Sequence, residues 1–208
     1  MHILVSAGPT REKIDAVRFI SNRSSGRMGY AIAEAAARAG HEVTLVSGPV
    51  TLPRPDGVEL VMVESASEMA AAIHDRAPLA EVIIMAAAVA DYRPADPVEH
   101  KLKKQPGDLV LRLERTEDIL ESLGRNKRPD QLLVGFAAET DDLEQNAMDK
   151  LRRKNLDWIA ANRVEDGFGT TTNALILFHR SGVRFALGSA PKPMLAAQML
   201  ELVLSSWK

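Results

Sequence analysis

The stretch FISNRSSGRMGYAIAEAAARAG, residues 19–40, decides how the chain is read. Its first half is a polar loop, and its second half is an alanine-rich run closed by Gly40, the pattern of a helix with a glycine stop. Asn22, Ser24 and Ser25 are residues of the kind that cap helix N-termini, and Gly26 and Gly29 permit a close approach of backbone or ligand. A short apolar run, Ile3-Leu4-Val5, precedes the loop and ends in Ser6-Ala7-Gly8. The order strand, polar loop, helix N-terminus sets free N–H groups and the positive end of a helix dipole toward an anion, most often a phosphate.

Outward from that point, strands and helices alternate. Strands are predicted at 3–7, 41–47, 59–63 and 81–86, and helices at 27–39 and 67–76, the second with Ser65 and Glu68 in a capping-box arrangement. The continuous apolar run EVIIMA, 81–86, suits a parallel strand covered on both faces. The alternation then breaks. Residues 91–107 are proline-rich and basic and read as a loop or arm, with an edge strand at 109–113 (LVLRL). A short helix is predicted at 117–123, a strand at 131–137, a charged amphipathic helix at 143–154 and a strand at 158–161. A hairpin follows at 174–179 and 183–187, and a closing helix at 191–207 carries Leu195, Met199, Leu202 and Val203 on one face. The succession predicts an α/β, Rossmann-like, doubly wound and mainly parallel sheet with a protruding arm or flap at 93–115, all within one domain over 1–208.

Composition narrows the function. The chain has 208 residues, a formal charge of −2 and 4% aromatic residues, which gives no global attraction to nucleic acid or to a membrane surface. It has no cysteine, so disulfides, thiolate metal sites and a cysteine nucleophile are excluded. Its five histidines are scattered without ligand spacing, and no zinc site built from protein ligands alone is expected. No apolar run approaches the roughly 20 residues that span a bilayer. The first residues lack a basic segment followed by an apolar core, so no signal peptide is expected and a cytoplasmic location is the default.

In doubly wound sheets, ligands bind beyond the carboxyl ends of the strands. Four strand ends are small or polar: residues 6–11, 86–91, 135–140 and Asn162. Each has a plainer reading. Gly26 and Gly29 can serve helix packing, Asp91 can cap a turn, and Lys101-Leu102-Lys103-Lys104 can be a solvated face or a cationic lid. Lys150 and Lys154 suit a helix C-terminus in any case. The dinucleotide fingerprint GxGxxG is not met after the first strand, which reads SAGPTRE, and there is no GxxxxGK[ST] loop and no Tyr-x-x-x-Lys pair at Tyr92. An NAD(P)-dependent oxidoreductase on the same sheet and a non-catalytic nucleotide-binding module are the alternatives.

Five motifs in order carry a closer resemblance: ISNRSSGRMG at 20–29, AAAVADYRP at 86–94, KLKK at 101–104, VGFAAET at 134–140 and KNLD at 154–157. With GPTRE at 8–12 and Ile14-Asp15-x-Val17-Arg18, they resemble the phosphopantothenoylcysteine synthetase domain of coenzyme A biosynthesis over about residues 6–165. The resemblance implies a ligase that joins 4′-phosphopantothenate to the amine of L-cysteine. CTP would serve as co-substrate in bacterial members, Mg²⁺ would be required, and an acyl-cytidylate would be the intermediate. It implies catalytic roles for Asn22, on the intermediate, and for Lys101, on a flap over the polyphosphate. It places Ser24, Ser25 and Gly26 at a phosphate, and Met85, Ala86, Ala87 and Asp91 at the nucleotide. Glu117, Asp118, Ile119 and Leu120 match a further nucleotide segment, although this chain reads TEDI at 116–119 where the family pattern is closer to NPDI. Phe136 would lie against the base or ribose, with Lys150 and Lys154 near the nucleotide. A homodimer built partly by the arm is implied, and so is kinship with chains in which a flavin-dependent decarboxylase precedes this domain.

Overall fold

The sheet is organised around a crossover at its centre. In the computed structural model, which describes residues 1–104, 106–167 and 170–207, eight strands stand side by side. The chain opens with β1 (His2–Ala7), a small hairpin of β2 (Arg11–Lys13) and β3 (Phe19–Ser21), and helix α1 (Arg27–Arg38). Then come β4 (Glu42–Ser47), β5 (Glu59–Met62), α2 (Ala66–Arg76) and β6 (Val82–Met85). The arm is bounded by β7 (Tyr92–Pro94) and β8 (Leu113–Arg115), and α3 (Ile119–Asn126), β9 (Leu132–Glu139) and α4 (Leu143–Arg153) follow. The chain closes with β10 (Trp158–Arg163), the single turn α5 (Val164–Gly167), β11 (Thr172–His179), β12 (Arg184–Pro191) and α6 (Lys192–Ser205).

The sheet order is β12-β11-β10-β9-β6-β1-β4-β5. Pairing is parallel from β10 through β5, and the β11–β12 hairpin closes one edge antiparallel. From β1 the chain winds outward through β4 and β5, then returns to place β6 on the other side of β1. That reversal opens a crevice at the carboxyl ends of β1 and β6, the place where such sheets take ligands.

Alternation along the central strands builds two cores. Ile3, Val5, Val82, Ile84, Val134 and Trp158 face α1 and α6, where they meet Ile32, Met199 and Val203. Leu4, Ile83, Leu133 and Ile159 face α2, α3 and α4, where they meet Met69, Ile73, Leu123 and Leu151. Successive side chains of a strand point to opposite faces, so a strand covered on both sides has to be apolar throughout. Both faces draw on this one apolar sheet, and no helix of the described residues is long and apolar enough to cross a membrane.

Two expectations are corrected. Residues 109–112 form no strand. The arm strand is Leu113–Arg115, which pairs antiparallel with Tyr92–Pro94, and the alternating LVLRL run leads into it with its apolar residues exposed. The helix predicted from Glu117 begins at Ile119, because Asp118 caps it by accepting the Glu121 N–H at 3.0 Å. The predicted capping box at α2 is present in modified form. Ser65 accepts the Glu68 N–H, while the Glu68 carboxylate accepts the N–H of Glu64 rather than that of Ser65. Gln105, within the arm, lies outside the described residues.

Candidate functional site

A cavity of about 320 Å³ occupies the crevice at the switch point. One wall is the tip of α1. Its N-cap is Gly26 at φ 75°, and no side chain caps the helix. Asn22, Ser24 and Ser25 therefore do not cap α1, contrary to expectation. Ser24 Oγ accepts the Gly26 N–H at 3.3 Å, and the first-turn N–H groups of the helix are left for a ligand. A left-handed φ is the reason a glycine stands at 26. Gly29 has the plainer role, since a Cβ there would lie 2.5 Å from Ala7 Cβ, so it seats α1 on β1.

The opposite wall is the run after β6, and its amides are already engaged. Ala86 N–H donates to Ser6 O, Ala87 N–H to Ser6 Oγ, Ala88 N–H to Gly8 O and Ala90 N–H to Thr10 Oγ1. Residues 6–11 thus act as the scaffold behind this wall and do not line the cavity themselves. Asn22 Nδ2 reaches across from the α1 loop to Ala88 O at 3.0 Å and Val89 O at 3.3 Å. One wall offers N–H donors that suit phosphate, and the other offers methyl groups and carbonyls that suit a base, a hydroxyl or an amine.

The floor is cationic. Lys154 is buried and binds Asp118 at 2.6 Å, and Lys150 donates to Phe136 O at 2.8 Å. Burial pushes the Lys150 ammonium below its ordinary range, and Lys154 pushes it the same way against Glu139, Asp118 and Asp91. Burial raises the Asp118 carboxyl, but Lys154, the Glu121 N–H and the charge of Lys150 outweigh it, and the net displacement is downward. Asp118 therefore holds a lysine and caps a helix at once.

Ser24, Ser25, Gly26, Met85, Ala86 and Ala87 all line the cavity, and so do Asp91, Glu117, Asp118, Ile119, Leu120, Phe136, Lys150 and Lys154. Asn22 flanks it through its hold on Ala88 and Val89. Lys101 does not line it. It is exposed on the arm, next to Leu102, whose N–H donates to Asp15 Oδ2 at 3.1 Å. The sequence reading missed Arg27, Thr116, Gly167, Asn173 and Lys192 in the lining, and it noted Asn162 only as a strand end. Lys192 departs from the usual placement of charges, since a lysine in the first turn of a helix opposes the dipole.

A sheet switch point with open helix amides and clustered lysines defines an α/β protein with a crevice suited to an anion. The match of a family model over residues 1–206 goes further: the chain belongs to the family described as DNA/pantothenate metabolism flavoprotein C-terminal domain. It is 49% identical over 185 residues to the Coenzyme A biosynthesis bifunctional protein CoaBC of Bacillus subtilis, covering 87% of this chain and 45% of that protein. Against the protein of the same name from Escherichia coli it is 45% identical over 213 residues, covering 100% of this chain and 52% of that one. The chain thus spans about half the length of these curated relatives. A crystal structure of the C-terminal domain of CoaBC superposes with a TM-score of 0.84 at 45% identity, covering 97% of this chain and 93% of that one. A Cab2 mutant in complex with phosphopantothenate-cysteine shares the fold, with a TM-score of 0.82 at 18% identity over 98% of this chain and 85% of that one.

Proposed function

We propose that this chain is a phosphopantothenate–cysteine ligase, joining 4′-phosphopantothenate to L-cysteine at the expense of CTP. The observation that carries the reading is the two-sided crevice, with uncapped α1 amides on one wall, engaged backbone and small apolar side chains on the other, and lysines beneath. Family membership and the chain's similarity to CoaBC proteins support it.

A carboxylate resists attack until one of its oxygens becomes part of a good leaving group. In the first step that oxygen attacks the α-phosphorus of CTP, the bond to the β-phosphate bridge breaks, and pyrophosphate departs from the acyl-cytidylate. Charge grows on the departing phosphates, where the α1 amides, Arg27, Lys150 and Lys154 can stabilise it. In the second step the cysteine amine attacks the acyl carbon, CMP leaves, and the nitrogen gives up a proton. Asn22 is suited to hold the intermediate because its amide carbonyl can accept while its NH₂ stays fixed on the wall carbonyls. Closure of the arm would bring Lys101 to the polyphosphate.

Mg²⁺ fits the donor set as a partner of the nucleotide. Among the described residues no cluster of three or more acidic or histidine side chains is arranged to hold a metal. Magnesium commonly takes one or two carboxylates together with substrate phosphates, and Asp91 is the lining carboxylate without a side-chain hydrogen bond among the described residues. The ion would neutralise phosphate charge there. The active form is read as a cytoplasmic homodimer, a single domain over 1–208, related to chains in which a flavin-dependent decarboxylase is fused to it.

The test is pyrophosphate release with CTP, Mg²⁺, 4′-phosphopantothenate and cysteine all present. Release that needs 4′-phosphopantothenate supports the reading. An absence of release above background, or a melting temperature raised by NADPH and not by CTP, overturns it.

A further inference from the structure

Three lysines, Lys127 half-buried and Lys154 and Lys192 buried, distinguish themselves by their partners. Lys127 meets Asp157 at 2.7 Å, and Lys154 meets Asp118 at 2.6 Å. Lys192, only 4% exposed, has no carboxylate within salt-bridge distance among the described residues. Its Nζ donates to two carbonyls instead, Gly167 O at 2.8 Å and Thr170 O at 2.7 Å. An ammonium has three protons, so one is left, and Lys192 is part of the cavity lining.

Apart from the two carbonyl dipoles it donates to, the surroundings of this side chain are adverse to its charge. It sits in the first turn of α6, beside the positive end of that helix dipole. Burial and the nearby Arg27 both push its ammonium below the ordinary range, and no group opposes them. A structural strut for two carbonyls needs no charge, since a neutral amide would serve. A buried ammonium held only by carbonyl dipoles is better compensated when an anion shares its cavity, because a charged acceptor offsets the cost of burial more fully than a neutral one. Arg27, the α1 tip and Lys192 line one end of the cavity, and Asn162 and Asn173, both buried, supply further amides there.

We infer that Lys192 is a further anion-binding residue of this site and gives its third proton to a phosphoryl oxygen of a substrate. The inference rests on the ligase reading and adds a contact to it. Two substrates carry phosphoryl groups, the polyphosphate of the nucleotide and the phosphate of phosphopantothenate, and the assay separates them.

Binding of inorganic pyrophosphate, of 4′-phosphopantothenate and of uncharged cytidine is measured by calorimetry on the wild-type chain and on Lys192→Gln, which keeps a donor for the carbonyls. Steady-state KM values for CTP and 4′-phosphopantothenate are taken alongside. We expect Lys192→Gln to weaken one phosphoryl probe by roughly tenfold or more, with the matching KM raised and cytidine binding unchanged, as loss of a charge-assisted hydrogen bond requires. Weakened pyrophosphate assigns the nucleotide, and weakened 4′-phosphopantothenate assigns the other substrate. Unchanged affinity for both, with the wild type active, leaves Lys192 a strut and overturns the inference alone. A wild type that binds neither and releases no pyrophosphate overturns the ligase reading as well. Should Lys192→Gln fail to fold, a structure of the wild type with CTP and 4′-phosphopantothenate bound decides. A phosphoryl oxygen about 3 Å from Lys192 Nζ supports the inference, and Nζ remote from all of them overturns it.

Discussion

Asn22 shows how much one side chain can bind together. Its NH₂ group spans two carbonyls of the wall after β6, so it fastens the α1 loop to the strand end opposite. Asn22→Asp removes those donors and sets a charge against two carbonyls. We expect turnover to fall by about 10²–10³, the scale for losing one positioned donor at a reacting carbonyl. Acyl-cytidylate should build up, and quenched reactions separated by chromatography would reveal it; normal turnover would remove the role given to Asn22. Lys154→Met leaves Asp118 capping α3 without its cation. The Asp118 carboxyl lies below its ordinary range in the folded chain, so its contribution to stability is full above the unfolded carboxylate pKa and fades as pH falls through the folded one. The variant should therefore lose stability at neutral pH and show a flatter acid limb in urea titrations. Because the Asp118 side chain is 40% exposed, the loss should be nearer 1 kcal/mol than the ~3–5 kcal/mol of a fully buried pair. Lys150 and Lys192 are displaced downward, and a bound polyanion would restore them. Nucleotide binding at alkaline pH should accordingly take up protons, seen as a buffer-dependent binding enthalpy; an enthalpy independent of buffer would contradict this.

Helix α1 illustrates what is legible in a sequence and what is not. Its extent follows from an alanine-rich run and a glycine stop, and Gly40 stands at φ 83° in open space. The apolar strands are equally plain, because a strand covered on both faces has no freedom to be polar. The arm is not, since alternation has meaning only where one face is buried. Leu109, Val110 and Leu111 are all exposed, so their pattern did not mark the paired residues at 113–115. Lys192 was missed for a related reason. A lysine beside prolines at a helix start suggests a solvated end, and only the return of β12 beside β11 carries it into the cavity wall. The capping serines show the limit from the other side. Their composition fits a cap, yet the left-handed turn at Gly26 leaves the helix end open. Two substitutions separate these roles. In Gly29→Ala the new methyl would meet Ala7 Cβ at 2.5 Å and Ser6 O at 2.9 Å, which lifts α1 from β1 and costs ~1–3 kcal/mol. CTP affinity should fall with it, because the anion-facing tip moves. Gly40→Ala costs about 1 kcal/mol through its left-handed backbone alone and should leave CTP affinity intact. Urea midpoints and nucleotide titrations on the pair would show whether α1 must sit where it does.

For the molecule as a whole, one run of exposed apolar side chains, Leu109, Val110, Leu111 and Leu113, lies on the arm. Val110 is 87% exposed and Leu109 59%, while the sheet edges are closed by the β11–β12 hairpin on one side and by the short β5 on the other. On the homodimer proposed above, replacing both Leu109 and Val110 with Asp should halve the mass measured by sedimentation equilibrium while leaving the urea midpoint of the sheet unchanged; an unaltered mass would assign the arm another role. The base of that arm has its own fastening. Asp15, buried, accepts the N–H groups of Val17, Arg18 and Leu102 together with the Arg18 guanidinium, which holds its carboxyl far below the ordinary carboxylate range. Val98 N–H donates to Ile14 O, and Lys13 pairs with Glu99. These ties moor the backbone between Lys101 and Lys103 to the β2–β3 hairpin, and that hairpin runs directly into Asn22. The two residues expected to act on the reacting groups are therefore joined by one short lever. On the flap role proposed for Lys101, a swing of that lysine inward would load the same hairpin that ends at Asn22, and the two residues would respond together.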